Sequence, residues 1–299
     1  MTYQTAEQQL WQRYGEQPSE RFVELASPPA RLRVVEAGAG DPVVFIGGTG
    51  GTGAYWAPLV QELEGFRCLL MDRPGWGMSS TVDYGKYEFK AMVTDVLRGL
   101  LDSLGLEKVS LVGASIGNLW AMRLAQRHPA RVEKIVLLGG GPNPEIPMGT
   151  FLKLLASPIG KLIVSLPMRP KMLVSQLRAL GHGASLESGR MADFVEWRVS
   201  LVNETKSMAN ERAMVRALLE GGKFRPGFAF EDAELAQIPH PTLMVYGSAD
   251  PTGNVEVWKR FVDFLPAGKL SVREGAGHMP WWDDPKAVGD EVATFLRTT

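Results

Sequence analysis

Three residues have the types and the chain order of a nucleophile and its proton-handling partners. Ser115 stands in Gly113-Ala114-Ser115-Ile116-Gly117, where the apolar run KVSLVGA gives way to the helical pattern NLWAMRLAQRHP. A G-x-S-x-G at a strand-to-helix turn holds its serine in a sharp corner, and its glycines leave room for the neighbouring strand and helix. The spelling alone is common; the strand before it and the helix after it give it weight. A serine hydroxyl at its ordinary pKa is a weak nucleophile and needs a base, usually a histidine oriented by a carboxylate. The chain has four histidines. His128 closes the helix after Ser115, His182 sits between two glycines and His240 between two prolines, and those local positions account for each. His278 is different. It follows an apolar run in EGAGHMPWWDD, a glycine-flanked loop at the carboxyl end of a strand, where open α/β sheets place their sites. Asp250 ends PTLMVYGSAD, just past the preceding strand, whereas Asp283 and Asp284, beside Pro285, read as the start of the last helix.

Elements that could position these residues recur along the chain. RFVELA, RLRVVEAG, PVVFIGG, FRCLLMD, KVSLVGA, KIVLLGG, PTLMVYG and KLSVREG are eight candidate strands. SPPA joins the first two tightly enough for antiparallel pairing, while helical patterns between the later ones demand parallel crossovers. An α/β fold follows, with a mixed, mostly parallel sheet. Trp56, Leu59, Val60 and Leu63 fall at i, i+3, i+4, i+7 and predict a helix; Phe89, Met92, Val93, Val96, Leu100 and Leu104 predict another. From Pro142 to Pro239 the rhythm breaks, far beyond an ordinary connection. That stretch holds helical patterns with Met148, Met168, Met172, Met191, Met208 and Met214, adaptable fillers suited to a helical cap over an apolar pocket. The expected division is a core in two parts, residues 1–141 and 240–299, with a cap inserted at 142–239.

Composition narrows the function. With 32 Lys and Arg against 33 Asp and Glu, spread along the chain of 299 residues, there is no electrostatic case for nucleic acid or an anionic membrane surface. A small-molecule substrate fits better. Cys68, the only cysteine, lies in an apolar run, so no disulfide, zinc cluster or redox pair forms within the chain. No run of about eighteen apolar residues occurs and the first fifteen residues are polar, so the expectation is a cytoplasmic protein with no membrane insertion. The sequence leaves room for a homodimer.

The stretch VVFIGGTGGTGAYW places Gly48, Gly50 and Gly53 as G-x-G-x-x-G, which is also a dinucleotide-binding spelling. Taken together with DRPGWGMSS, GASIG, GSADP and GHMPWWDDP, it resembles the α/β-hydrolase superfamily over nearly the whole chain. The resemblance implies the α/β-hydrolase fold with an inserted cap, a triad of Ser115, Asp250 and His278, and no metal or organic cofactor. It also implies that the glycine loop supplies an oxyanion-hole donor through its backbone, with Thr49 N–H and Ile116 N–H as the pair and Gly48 beside them. Gly47 stands where the family usually has histidine. Asp72, at a spacing that would suit a ribose-binding acid, sits in the tight DRPGWG loop of this superfamily, and a probable hairpin precedes the glycine loop; both favour the oxyanion reading over the nucleotide one.

Within the superfamily a serine nucleophile argues against haloalkane dehalogenases and epoxide hydrolases, which carry aspartate there. Esterases, lactonases and meta-cleavage carbon–carbon hydrolases remain. Thr49-Gly50 and Trp282, four residues after His278, resemble the last group; Ala114, where that group has asparagine, departs from it, and Arg190 in ESGRMADF only echoes its cap arginine, which leaves Gly48, Arg190 and Trp282 as the expected substrate-binding residues. The resulting expectation is hydrolysis of a carboxylic ester of a small, largely apolar substrate through an acyl-enzyme. Carbon–carbon hydrolysis stands second, and a ligand receptor that keeps the triad is the alternative from another class.

Overall fold

A computed structural model describes residues 2–146, 149–220, 223–225 and 227–298. Met148 of the expected cap therefore lies outside the described residues. The runs rich in Val, Ile and Leu form an eight-stranded sheet: β1 (Ser19–Ala26), β2 (Pro29–Gly38), β3 (Asp41–Ile46), β4 (Phe66–Met71), β5 (Val109–Ala114), β6 (Val132–Leu138), β7 (Thr242–Gly247) and β8 (Gly268–Arg273). Their order is β1-β2-β4-β3-β5-β6-β7-β8. β1 pairs antiparallel with β2 and β2 antiparallel with β4, while every later pairing is parallel. β3, β5 and β7 are almost wholly buried, as strands covered by helices on both faces must be.

The helices are α1 (Tyr3–Arg13), α2 (Phe89–Ser103), α3 (Ile116–Arg127), then α4 (Thr150–Ala156), α5 (Gly160–Ile163), α6 (Pro170–Ala179), α7 (Gly183–Glu187), α8 (Ala192–Glu204) and α9 (Ser207–Leu218) between β6 and β7, and α10 (Val255–Asp263) and α11 (Pro285–Arg297). The helix expected from Trp56 to Leu63 is shorter than its periodicity suggests. A 3₁₀ turn over Gly53–Trp56 leads into only Ala57–Val60, because tertiary packing sets this segment: Trp56 stacks on Trp281 at 5.0 Å, and Tyr55 meets the same ring edge-on. Asp284 caps α11 through Ala287 N–H, as expected of a helix start.

One feature of the topology places the site. After β3 the chain crosses to β4 on one side, then returns to lay β5 on the other side of β3. The loops after β3 and β5 thus face each other across the point where strand order reverses, the crevice where open α/β sheets bind ligands. A side chain on Gly117, just inside α3, would place its Cβ 1.9 Å from Ile46 O, so α3 can sit this close to β3 only without one.

Asp72, at the end of β4, is fully buried. It accepts from Gly53 N–H at 2.9 Å and Met78 N–H at 3.2 Å, and Arg33 Nη1 lies 3.6 Å away. Burial pushes its carboxyl up to about 7, against the pull of Arg33 and the two amides. Arg33 also pairs with Glu7 at 2.7 Å, which ties α1 to the sheet. Removing one member of a buried ion network leaves an uncompensated charge and typically costs about 3–5 kcal/mol. Urea denaturation should therefore show Arg33→Met losing about that much stability, while Arg31→Met, removing the exposed partner of Glu24, loses less than about 1 kcal/mol.

Candidate active site

Ser115 closes β5 and opens α3 with φ 54°, the only positive φ on a non-glycine residue among those described. Its amide donates to Leu138 O at 3.2 Å, which fixes the turn against β6. His278 Nδ1 lies 2.8 Å from Asp250 Oδ2. Asp250 is held from four sides: besides the imidazole, Gly140 N–H donates to Oδ2 at 2.9 Å, and Thr252 donates its N–H and hydroxyl to Oδ1 at 2.8 and 2.7 Å. Burial alone would raise this carboxyl, but attraction to His278, its hydrogen bond and the amide and hydroxyl donors bring it down to about 2. Burial likewise disfavours protonated His278, yet Asp250's charge and hydrogen bond outweigh it and raise the imidazole above its ordinary value. With Nδ1–H committed to Asp250, Nε2 is the nitrogen left to act as a base. Ser115 and His278 both line a cavity of about 320 Å³.

The glycine loop meets Ser115. A Cβ on Gly48 would stand 2.9 Å from Ser115 Cβ, so the bare backbone lets the loop approach the serine. Thr49 and Ile116 line the space beside Ser115. Among the described residues neither Thr49 N–H nor Ile116 N–H donates to a protein acceptor outside a helix, and Ile116, the first residue of α3, has no intrahelical one. Such amides suit an oxyanion. Both loop carbonyls are turned toward arginines: Gly48 O accepts from Arg73 Nη2 at 2.8 Å, and Thr49 O from Arg198 Nη2 at 3.4 Å. The Arg198 guanidinium lies against Gly50, the second glycine of the dinucleotide spelling.

Two of the groups bracing this loop come from the cap and were not foreseen from sequence. Glu211, on α9 and 1% exposed, accepts from Thr49 Oγ1 at 2.6 Å and Trp76 Nε1 at 2.6 Å, with Arg73 at 3.4 Å. Arg198, on α8, lines the cavity and is the cation there. Arg190, expected in that place, is exposed in the turn leading into α8 and does not line the cavity, because the cap turns the following helix, not this turn, toward Ser115. Trp282, expected at the substrate wall, lies one layer behind it: its Nε1 donates to Tyr55 O at 3.0 Å, and its ring packs edge-on at 4.7 Å against Phe194, which does line the cavity.

His182 and Asp283, both given bland readings from sequence, fasten the cap to the loop of His278. Met279 N–H donates to His182 Nε2 at 3.2 Å, so Nδ1 of the neutral ring carries the proton and donates to Asp283 at 2.9 Å. Asp283 also accepts from Ser185 Oγ at 2.5 Å and Gly277 N–H at 2.8 Å, and His278 N–H donates to Leu180 O at 2.9 Å. His240 accepts no such role; its Nε2 meets Pro129 O at 3.0 Å, and His128 caps α3. His182→Leu would strand the buried Met279 N–H and leave Asp283 one donor short, at about 1–3 kcal/mol for each. Urea denaturation should show a loss of about 2–6 kcal/mol, while His128→Leu, at a half-exposed helix end, should leave stability almost unchanged.

The chain matches the alpha/beta hydrolase family over residues 43–291. It is 30% identical over 296 residues to 2-hydroxy-6-oxononadienedioate/2-hydroxy-6-oxononatrienedioate hydrolase 2 of Pseudomonas putida, covering 95% of this chain and 98% of that one. To the corresponding hydrolase of Cupriavidus pinatubonensis it is 29% identical over 288 residues, 92% and 94% of the two chains. Among solved structures, 2-hydroxy-6-oxo-6-phenylhexa-2,4-dienoate hydrolase from Rhodococcus sp. strain RHA1 superposes with a TM-score of 0.76 at 19% identity, over 95% of this chain and 100% of the other. A carboxylesterase from Bacillus subtilis superposes with a TM-score of 0.72 at 18% identity, over 99% and 97%. At those identities the structural likenesses speak for the fold alone. Sheet order, elbow and sequence match agree, and the chain belongs to the alpha/beta hydrolase family.

Proposed function

We propose that this hydrolase cleaves a carbon–carbon bond in a substrate of the 2-hydroxy-6-oxo-dienoate kind, with Ser115 as nucleophile, His278 as base and Asp250 as its orienter. The observation that carries this reading is Arg198. Its side chain is buried in the cavity wall with Nη1 unpartnered among the described residues, while Nη2 reaches only Thr49 O at 3.4 Å. Burial pushes its pKa down to about 10, with Tyr55 and Glu211 holding it up, so the group is a cation at neutral pH. With Arg73 and Glu211 beside it, the buried cluster has two cations against one carboxylate. A desolvated, half-satisfied guanidinium calls for an anion, and a substrate carboxylate supplies one. An uncharged ester offers it only a neutral acceptor. The preference drawn from sequence for esters is therefore reversed, and the names of the P. putida and C. pinatubonensis relatives support the reversal.

In the proposed reaction, His278 Nε2 takes the Ser115 proton as Oγ adds to the 6-keto carbon. The Thr49 and Ile116 amides receive the developing oxyanion. Collapse breaks the bond between that carbon and its diene neighbour. In the keto tautomer of the dienol, the departing electron pair is delocalised onto the 2-oxo group and the neighbouring carbon takes the proton from His278. Water then hydrolyses the acyl-serine to the free acid. Arg198 holds the carboxylate end, away from the bond that breaks.

Three outcomes test this. A fluorophosphonate should label one residue per chain; peptide mapping should place it on Ser115, and Ser115→Ala should abolish both labelling and turnover. For a 2-hydroxy-6-oxo-dienoate, Arg198→Met should lower kcat/KM by about 10- to 100-fold, the worth of a charge-assisted hydrogen bond, while kcat/KM for a p-nitrophenyl ester changes little. Equal losses on both substrates would return the reading to ester hydrolysis. The pH profile of kcat/KM should rise from acid to neutral as His278 loses its proton, with a midpoint above the ordinary histidine value of 6.5, because Asp250 favours the protonated ring. In Asp250→Asn that limb should move to lower pH as overall activity falls.

A further inference from the structure

The first half of the cap turns apolar side chains outward. Five of the nine large hydrophobic side chains exposed among the described residues lie between positions 154 and 172: Leu154, Ile159, Leu162, Leu166 and Met172. Leu154, Ile159, Leu162 and Leu166 are 43, 62, 62 and 57% exposed. The same elements wall the cavity from within. Phe151 and Leu152 on α4 and Leu173 and Leu177 on α6 line it, so the segment is apolar on both sides and only its inner side has a partner.

Charge in this segment is segregated. From Ile146 to Leu186 there is no Asp or Glu, but there are five cations: Lys153, Lys161, Arg169, Lys171 and Arg178. The remaining 27 of 32 cations face all 33 acids in the rest of the chain, so the near-balance over the whole sequence conceals one basic face. Arg178 is paired with Glu187 at 2.8 Å. Lys153, Lys161, Arg169 and Lys171 are exposed and form no ion pair among the described residues. Exposed leucine and isoleucine interleaved with unpaired cations are the composition of an element that lies in the headgroup region of an anionic bilayer.

We propose that the outer face of α4, α5 and the start of α6 docks on an anionic lipid surface. The helices are too short to cross a bilayer, and no helix among the described residues is long and apolar enough to do so. The contact is peripheral: the apolar side chains enter the interface and the four cations meet the headgroup phosphates. A second copy of the chain is a poorer occupant. A two-fold contact of this face with itself would bring both sets of four cations together with no acid from the segment between them. Docked this way, the wall of the cavity rests on the lipid.

Co-flotation of the full chain with extruded phosphatidylcholine vesicles, with and without phosphatidylglycerol, tests the proposal at low and high salt. Each cation near an anionic leaflet strengthens binding about fivefold, so binding should require phosphatidylglycerol, weaken at high salt, and fall by more than about tenfold in Lys153→Glu/Lys161→Glu. Leu162→Asp should remove it, with melting temperature and turnover of a soluble ester unchanged. Absence of binding to the anionic vesicles, equal binding to both lipids, or undiminished binding by the folded variants would overturn the proposal. So would a dimer, seen by sedimentation, that Leu162→Asp dissociates, because the face would then belong to a second copy. Loss of the carbon–carbon activity in Arg198→Met leaves this test untouched.

Discussion

The close approach of the loop after β3 to the turn after β5 is the constraint on which the rest of the site depends. Backbone meets side chain there with no space for a Cβ on Gly48 or Gly117. That contact exists because β3 and β5 are parallel neighbours at the place where the sheet changes winding direction. The candidate site is arranged around it: Ser115 on one side, Thr49 and Ile116 beside it, and the Asp250–His278 pair arriving from the ends of β7 and β8. The strained serine backbone persists because Leu138 O holds its amide and α3 starts at the next residue.

Buried charge sets the loop in place. Arg73 from the core and Arg198 from the cap each take one carbonyl of Gly48-Thr49, while Glu211 takes the threonine hydroxyl. Holding two successive carbonyls fixes the orientation of the intervening Thr49 amide. Desolvating three charges is costly, and pairs of this kind contribute more to a fixed geometry than to stability. The structure therefore places ionic groups where orientation matters most, and the same cluster retains the uncompensated positive charge on which the proposed choice of substrate rests.

The placement of Ser115, Asp250 and His278 was legible because each follows a strand and they stand in the chain order expected of their type, and the structure pairs His278 with Asp250. The sheet was legible from eight short apolar runs. The charged residues of the cap were not, since their positions depend on how its helices rotate against the core. A signal was nevertheless present. On α8, Phe194, Trp197, Arg198 and Leu201 form one buried stripe at i, i+3, i+4, i+7, and on α9 Glu211 falls among Ser207, Met208, Met214, Val215 and Leu218. An arginine or glutamate in the apolar stripe of an amphipathic helix must meet a partner or a ligand, whereas Arg190 lies outside any stripe. Trp282 misled for the opposite reason: an aromatic residue near a catalytic histidine suggests a binding wall, but its N–H serves the Tyr55 carbonyl.

The fastening of His278's loop to the cap also bears on how such enzymes can be recombined. Leu180 and His182 supply the acceptors for the amides of His278 and Met279, so the second half of the cap is part of the scaffold of His278. The segment carrying α4 and α5 has no such bond to that loop among the described residues. A chimaera can therefore exchange α4 and α5 as a module, altering what the enzyme touches while keeping its chemistry. One that exchanges the stretch around Leu180 and His182 must import the donor's Gly277–Asp283 loop with it.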